Sequence, residues 1–156
     1  MLVEATDDHF AALITGAAPP GFQVPDGGVE ALAVLHMLQG LAQRVRQEIS
    51  PASWLIVADG EIVGLCSITK AFPTPGTVEI GYGLAQTRRG RGHAAAAVAE
   101  LLDWARSEKR IAAVAADTAV DNLPSQRVLE RNGFIRVGGR IDAEDGPLIC
   151  WRREVA

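Results

Sequence analysis

Cysteine is scarce in this chain of 156 residues, aromatic rings are few, and positive charge is not in excess. Cys66 and Cys150 are too few for a disulfide framework or a cysteine metal site. Both stand in strand-like contexts, where buried, reduced thiols are expected. His9, His36 and His93 lie far apart with no cysteine partner, so no metal centre is expected. With 15 Lys and Arg against 19 Asp and Glu, the net charge is −4, which argues against nucleic acid as the main partner. Apolar runs such as Ala94 to Ala99 and Ile111 to Ala116 fall far short of the ~20 residues that span a bilayer, so no membrane partner is expected. Met1 to Asp8 has no basic stretch leading into an apolar core, which predicts no signal peptide and a cytoplasmic location. Trp54, Trp104 and Trp151 read as core or interface residues rather than binding platforms.

What is present is an ordinary globular composition, 48% hydrophobic and 22% charged, enough for one domain over residues 1–156. Leu2 to Ala5 reads as a short strand. Thr6-Asp7-Asp8 supplies a cap and an acidic first turn for a helix through about Ile14. Gly16 to Gly28, dense in proline and glycine, is a loop. From Val29 to Glu48, Leu38, Leu41, Val45 and Ile49 recur at helical spacing, with Pro51 closing the helix. Trp54 to Ala58 and Ile62 to Thr69 are β-rich and joined by Asp59-Gly60, a hairpin signal. Thr77 to Leu84 completes an antiparallel meander.

The pattern then changes. Val98, Leu101, Leu102 and Ala105 mark a helix from about Gly92 to Lys109, and Ile111 to Ala116 reads as a buried parallel strand. Strand, helix and strand in that order imply a right-handed crossover. Asn122 caps a further helix that Gly133 ends, and Phe134 to Val137 with Leu148 to Arg153 form a terminal hairpin. The expected fold is α+β: a mixed sheet, antiparallel then parallel, flanked by four helices.

Between the third strand and the long helix lies Arg89-Gly90-Arg91-Gly92-His93-Ala94. Glycines that bare backbone amides, arginines and a helix N-terminus together make a receptor for an anion, a pyrophosphate above all. No Lys-Ser or Lys-Thr follows, so it is not a Walker loop. Gly90, Gly92 and Ala95 do match the spacing of a dinucleotide fingerprint, and Asp117 is a candidate ribose-binding acid. That acid comes 27 residues after Gly90 rather than about 20, and only one βα unit is visible. A dinucleotide-binding protein therefore stays a minor alternative.

Read as Arg-x-x-Gly-x-Ala, Arg89 to Ala94 resembles the acyl-CoA pyrophosphate loop of the GNAT superfamily, the Gcn5-related N-acetyltransferases. Val78-Glu79-Ile80-Gly81-Tyr82-Gly83-Leu84 resembles the family's splayed strand. Asn122-Leu123-Pro124-Ser125, Val128-Leu129-Glu130 and Gly133-Phe134 resemble its Asn-x-x-Ser helix and the Gly-Phe that follows. The matched stretch, Glu79 to Phe134, covers about a third of the chain, and its details resemble the ribosomal-protein N-terminal acetyltransferase branch.

The resemblance implies a GNAT-like fold, acetyl-CoA as cosubstrate and acetyl transfer to a primary amine in a ternary complex. Arg88, Arg89, Gly90, Arg91, Gly92, His93 and Ala94 would hold the pyrophosphate, His93 through its backbone amide. The pantetheine arm would run along Leu84 and Ala85 like an added strand, and Asn122 either touches that arm or only caps its helix. Glu79 is the candidate base, because desolvation in an apolar strand raises a carboxylate's proton affinity; an outward-facing glutamate is the rival reading. Where many relatives carry a tyrosine, this chain has Leu129, which donates no proton. Ser125 and Tyr82, the single tyrosine, are the candidate acids, with solvent as a third source. The missing tyrosine also keeps open an acyl-CoA-binding regulatory module without transfer activity. The acceptor is expected to be a small-molecule or peptide amine. Its groove is implied to lie among Gly16 to Glu48 and Gly138 to Pro147, which show no decodable pattern. Asp142, Glu144 and Asp145 read either as a lure for a cation or as a solvated turn. A homodimer through the final strands is compatible with the sequence.

Overall fold

The computed structural model describes residues 1–156. Its strands are β1 (Leu2–Glu4), β2 (Ser53–Ala58), β3 (Glu61–Ala71), β4 (Thr77–Leu84), β5 (Ala113–Ala119), β6 (Ile135–Asp142) and β7 (Gly146–Glu154). Its helices are α1 (Asp7–Ile14), α2 (Leu32–Val45), α3 (His93–Ser107) and α4 (Leu123–Arg131), with a 3₁₀ turn over Gln86–Arg88. One seven-stranded sheet runs in the order β1-β2-β3-β4-β5-β7-β6. All neighbours are antiparallel except β4 and β5. The single parallel pair is the one that α3 connects, as a crossover requires. A doubly wound dinucleotide domain needs several such pairs, so this topology removes that alternative.

Local chemistry accounts for most element ends. Thr6 caps α1 by accepting from the His9 amide at 3.2 Å. Asp59 and Gly60 both take positive φ, 51° and 77°, the backbone that a two-residue hairpin needs to follow sheet twist. Gly64 lets β3 and β4 close up, since a Cβ there would sit 2.3 Å from the Gly83 carbonyl oxygen. A bulge between Ile68 and Lys70 shifts the β3–β4 register by one residue and sets Lys70 opposite Glu79.

Several boundaries differ from the sequence reading. The α2 helix begins at Leu32 rather than Val29, and Val29 is instead buried in the preceding loop. It ends at Val45, six residues before Pro51, although Ile49 still packs into the core from the turn beyond. β5 starts at Ala113 and reaches Ala119, because pairing with β7 carries it past the apolar run. β6 and β7 are longer than their hydrophobic patterns, held by mutual pairing out to Asp142–Gly146. Cys66 is buried as expected, but Cys150 is only half-buried, on the less covered face of β7.

Alternation assigns the two faces of β4. Val78, Ile80 and Tyr82 point towards α3 and α4, where Val98, Leu101, Leu102 and Leu129 complete the core. Thr77, Glu79, Gly81 and Gly83 point the other way, towards the α2 side. Trp54 and Trp151 are buried, and Trp104 stacks edge-on against Trp54 at 5.0 Å.

Candidate active site

The β4–β5 ladder stops early. Thr77 to Ile80 pair with Ala113 to Ala116, and beyond that point β4 keeps only its β3 partner while β5 keeps only β7. Gly81 to Leu84 and Asp117 to Ala119 therefore flank a notch in mid-sheet. The β4 edge that faces it offers backbone groups to a ligand strand, which suits an arm along Leu84 and Ala85. Leu84 is half-buried; Ala85 is fully buried and already bonded to Val63.

At the end of the notch stands the glycine loop. Gly90 and Gly92 take φ of 79° and 82°, and a Cβ at either would meet nothing within 4 Å. The backbone N–H groups of Arg89 to Ala95 donate to no group of the protein, and the first intrahelical bond is made by Ala96 to Gly92. Gly92 offers α3 no side-chain cap. A run of bare amides at a helix N-terminus is the donor set a pyrophosphate takes, so the residues fit coenzyme A. Arg89 and Arg91 are exposed and make no ion pair. Arg88 differs: its Nε and Nη2 grip Glu61 at 2.6 and 3.1 Å, and that guanidinium holds the Glu61 carboxyl below the usual range. Together with Arg91 and His93 these residues line a cleft of about 370 Å³ beside the loop.

Across the notch the two candidate acids meet. Tyr82 Oη donates to the Ser125 carbonyl at 3.1 Å and shares a 2.9 Å bond with Ser125 Oγ. Burial pushes the Tyr82 phenol up to about 12. Asn122 accepts from the Ser125 amide at 3.2 Å and so caps α4. Leu129 is wholly buried behind them.

Glu79 lies on the opposite face, its side chain 21% exposed and 4.0 Å from Lys70 Nζ. Desolvation raises its carboxyl above the ordinary value; Lys70 opposes the rise and Asp117 adds to it. Two neighbours on this side were not singled out from the sequence as site residues. Glu30, in the loop before α2, brings Oε2 within 3.3 Å of where a Gly83 Cβ would stand. Asp117, weighed only as a ribose ligand, is bound instead by Arg140 from β6 at 2.8 and 3.2 Å. Strand parity could have found Asp117, because a parallel partner of β4 puts it on the Glu79 face. His36 is exposed on α2, and His9 belongs to the α1 cap. Asp142 accepts from the amides of Glu144 and Asp145 at 3.0 and 2.9 Å, so this acidic trio is a turn. No group of three His, Cys, Asp or Glu is arranged to hold a metal ion.

A mid-sheet notch, a bare amide loop opening α3 and titratable groups on both faces of one strand make up a candidate site of the kind expected in the GNAT family. The chain belongs to that family: the model for the acetyltransferase (GNAT) domain matches residues 2–135. Among similar proteins are the ribosomal-protein-serine acetyltransferase of Escherichia coli K12, 31% identical over 91 residues, and the uncharacterized N-acetyltransferase YjdG of Bacillus subtilis 168, 35% identical over 85. The first alignment covers 58% of this chain and 51% of that protein, the second 53% and 51%. The chain thus spans about half the length of the curated relatives it matches. The fold is shared with RimL, a ribosomal alpha-N-protein acetyltransferase in complex with coenzyme A (TM-score 0.74, 20% identity, 98% of this chain and 92% of that one). It is also shared with the aminoglycoside acetyltransferase AAC(6')-Ib in complex with coenzyme A (TM-score 0.70, 21% identity, 99% and 94%). No helix is long and apolar enough to cross a membrane.

Proposed function

We propose that this protein is an acetyl-CoA-dependent N-acetyltransferase that moves the acetyl group directly to a primary amine within a ternary complex. The observation that carries this reading is the placement of the notch between Glu79 on one face and the bare amides of Arg89 to Ala95 at its end. The amides would seat the pyrophosphate, with Arg89 and Arg91 adding charge-assisted bonds. The arm would lie against the open edge of β4, bringing the thioester to the level of Gly81 and Tyr82.

The acceptor then enters from the Glu79 face, between the α2 side and the β6–β7 hairpin. Its ammonium form cannot attack, so Glu79 takes one proton, directly or through water. The nitrogen bonds the acetyl carbon, the carbon–sulfur bond breaks, and the proton left on nitrogen passes to the departing sulfur or to solvent. The Tyr82 phenol, at about 12, lies well above an ordinary thiol near 8.5. Complete transfer of its proton to the thiolate would run uphill by ~5 kcal/mol. Tyr82 and Ser125 therefore serve as hydrogen-bond donors to the charge that develops there.

Small amines and protein N-termini are both within this chemistry, and the names of the structural neighbours span both classes. Acetyl-CoA supply makes the cytoplasm the place of action. Calorimetry with coenzyme A and thiol release from acetyl-CoA over an amine panel test the reading. Glu79→Gln should cut turnover at least ~100-fold at neutral pH while coenzyme A affinity stays within about twofold. No heat at millimolar coenzyme A would refute the function, and full turnover in the variant would remove Glu79 from it.

A further inference from the structure

The charged and titratable groups on the Glu79 face come from four strands and one loop. Lys70 stands opposite it on β3, Asp117 lies on β5, Arg140 reaches over from β6, the Cys150 thiol faces Asp117 from β7, Arg152 of β7 donates to Thr77 at 3.3 Å, and Glu30 lies further along near Gly83. In the parallel register Glu79 faces Ala115, so Asp117, two residues on, projects from the same side of the sheet. It is also the first β5 residue past the last β4 pair, and so stands at the rim of the notch. Its side chain is only 20% exposed, which spares its charge much of the screening a surface carboxylate suffers.

Arg140 holds this carboxylate in an unusual way. Nε and Nη2 both donate to Oδ2, at 3.2 and 2.8 Å, and the Cys150 thiol bonds the same carboxylate. The guanidinium is itself steadied by Asp142 at 3.4 Å, and Asp142 is fixed by two turn amides. A continuous chain of contacts therefore runs from the tip of the β6–β7 hairpin to the mouth of the notch.

We propose that Asp117, clamped by Arg140, is a positioning residue that controls the protonation of Glu79 during acetyl transfer. The inference rests on Glu79 being the base in the proposed function. A second carboxylate on the same face opposes a negative Glu79 and so strengthens its hold on a proton taken from the amine. Arg140 tempers that effect. Without the arginine the two carboxylates would repel more strongly, and Glu79 would hold its proton to higher pH. Without Asp117, Glu79 would be a weaker base, and the released guanidinium would meet an arriving ammonium with like charge. The signs agree with the direction in which each group moves the Glu79 carboxyl, Asp117 up and Arg140 down. Lys70, on the other flank, lowers the Glu79 carboxyl and stays the same in every variant below.

The test measures Glu79 itself. Carbon-13 titration of its side-chain carboxyl, and the acid limb of kcat against pH, are followed in the full chain and in Asp117→Asn, Arg140→Gln and Arg140→Lys. Asp117→Asn should move both midpoints to lower pH and Arg140→Gln should move both to higher pH. Arg140→Lys, which keeps the charge, should return them towards the parent. In the double variant Asp117→Asn/Arg140→Gln, the arginine's effect should shrink. Coenzyme A heats and melting curves confirm that each variant is folded. Glu79 midpoints that stay put, or that move the same way in Asp117→Asn and Arg140→Gln, overturn the proposal. Full turnover in Glu79→Gln would instead sink the base assignment, while the carbon-13 midpoints would still report whether the pair acts on Glu79.

Discussion

Replacing Tyr82 by phenylalanine removes one oxygen and two contacts, the 2.9 Å bond shared with Ser125 Oγ and the 3.1 Å bond to the Ser125 carbonyl. The ring stays, so packing against the core is retained. A neutral hydrogen bond of this kind contributes about 1 kcal/mol net, and the Ser125 hydroxyl can turn to water in the notch. The expected loss of stability is therefore ~1 kcal/mol, a fall in Tm of about 3 °C for a chain of this size. The effect on catalysis should be larger. A donor aimed at a developing thiolate is charge-assisted and contributes ~1.5–3 kcal/mol, so turnover should fall about 10- to 100-fold. Because burial pushes the phenol up to about 12, no alkaline limb assignable to it should appear in the activity profile below about pH 10. Melting curves, thiol release from acetyl-CoA and the parallel variant Ser125→Ala make the assay. Since the two hydroxyls share one bond, the double variant should cost less than the sum of the single losses. Undiminished turnover in both single variants would refute the assignment, leaving solvent as the proton source. An alkaline limb near neutrality that vanishes in Tyr82→Phe would refute the argument from burial.

Three other outcomes follow from the geometry. Gly64→Ala forces a methyl to within 2.3 Å of the Gly83 carbonyl oxygen and should destabilise the fold by ~3 kcal/mol in chemical denaturation, with β4 and the notch displaced. Gly92→Ala meets no neighbour but must hold φ near 82°. It should cost about 1 kcal/mol of stability and weaken coenzyme A binding about tenfold by calorimetry, as the amides turn away. Glu79→Gln should raise Tm at neutral pH and leave it unchanged near pH 4. The folded-state carboxyl sits above its unfolded value, so its contribution to stability is full at low pH and is lost as pH rises through the folded midpoint. A variant less stable than the parent at pH 7 would contradict this.

The parts of the site that lie close together in sequence could be read before the fold was known. Asp59-Gly60, the loop from Arg89 to Ala94 and the cap at Asn122 each carry their geometry in a few adjacent residues, and each stands where alternation and spacing put it. The Glu79 environment could be read only in part. An acid within an apolar strand reads either as a desolvated base or as an outward-facing side chain, and its neighbours are not legible, because Asp117 and Arg140 meet across 23 positions and two intervening strand ladders. The pairing of Arg88 with Glu61 is likewise not legible, since the two lie 27 positions apart. Whether Ser125 or Tyr82 serves the leaving group looked like a choice between rivals. Folding brings them into contact over 43 positions and makes them one unit.

The one-residue bulge at Ile68–Lys70 decides which side of the sheet the lysine takes. If the same residues ran in a straight ladder, Thr69 would stand opposite Glu79 and Lys70 opposite Val78, and the ammonium now beside Glu79 would point towards the apolar interior. The extra residue thus lets Ile68 and Lys70, two positions apart and so expected on one face, enter opposite layers of the fold.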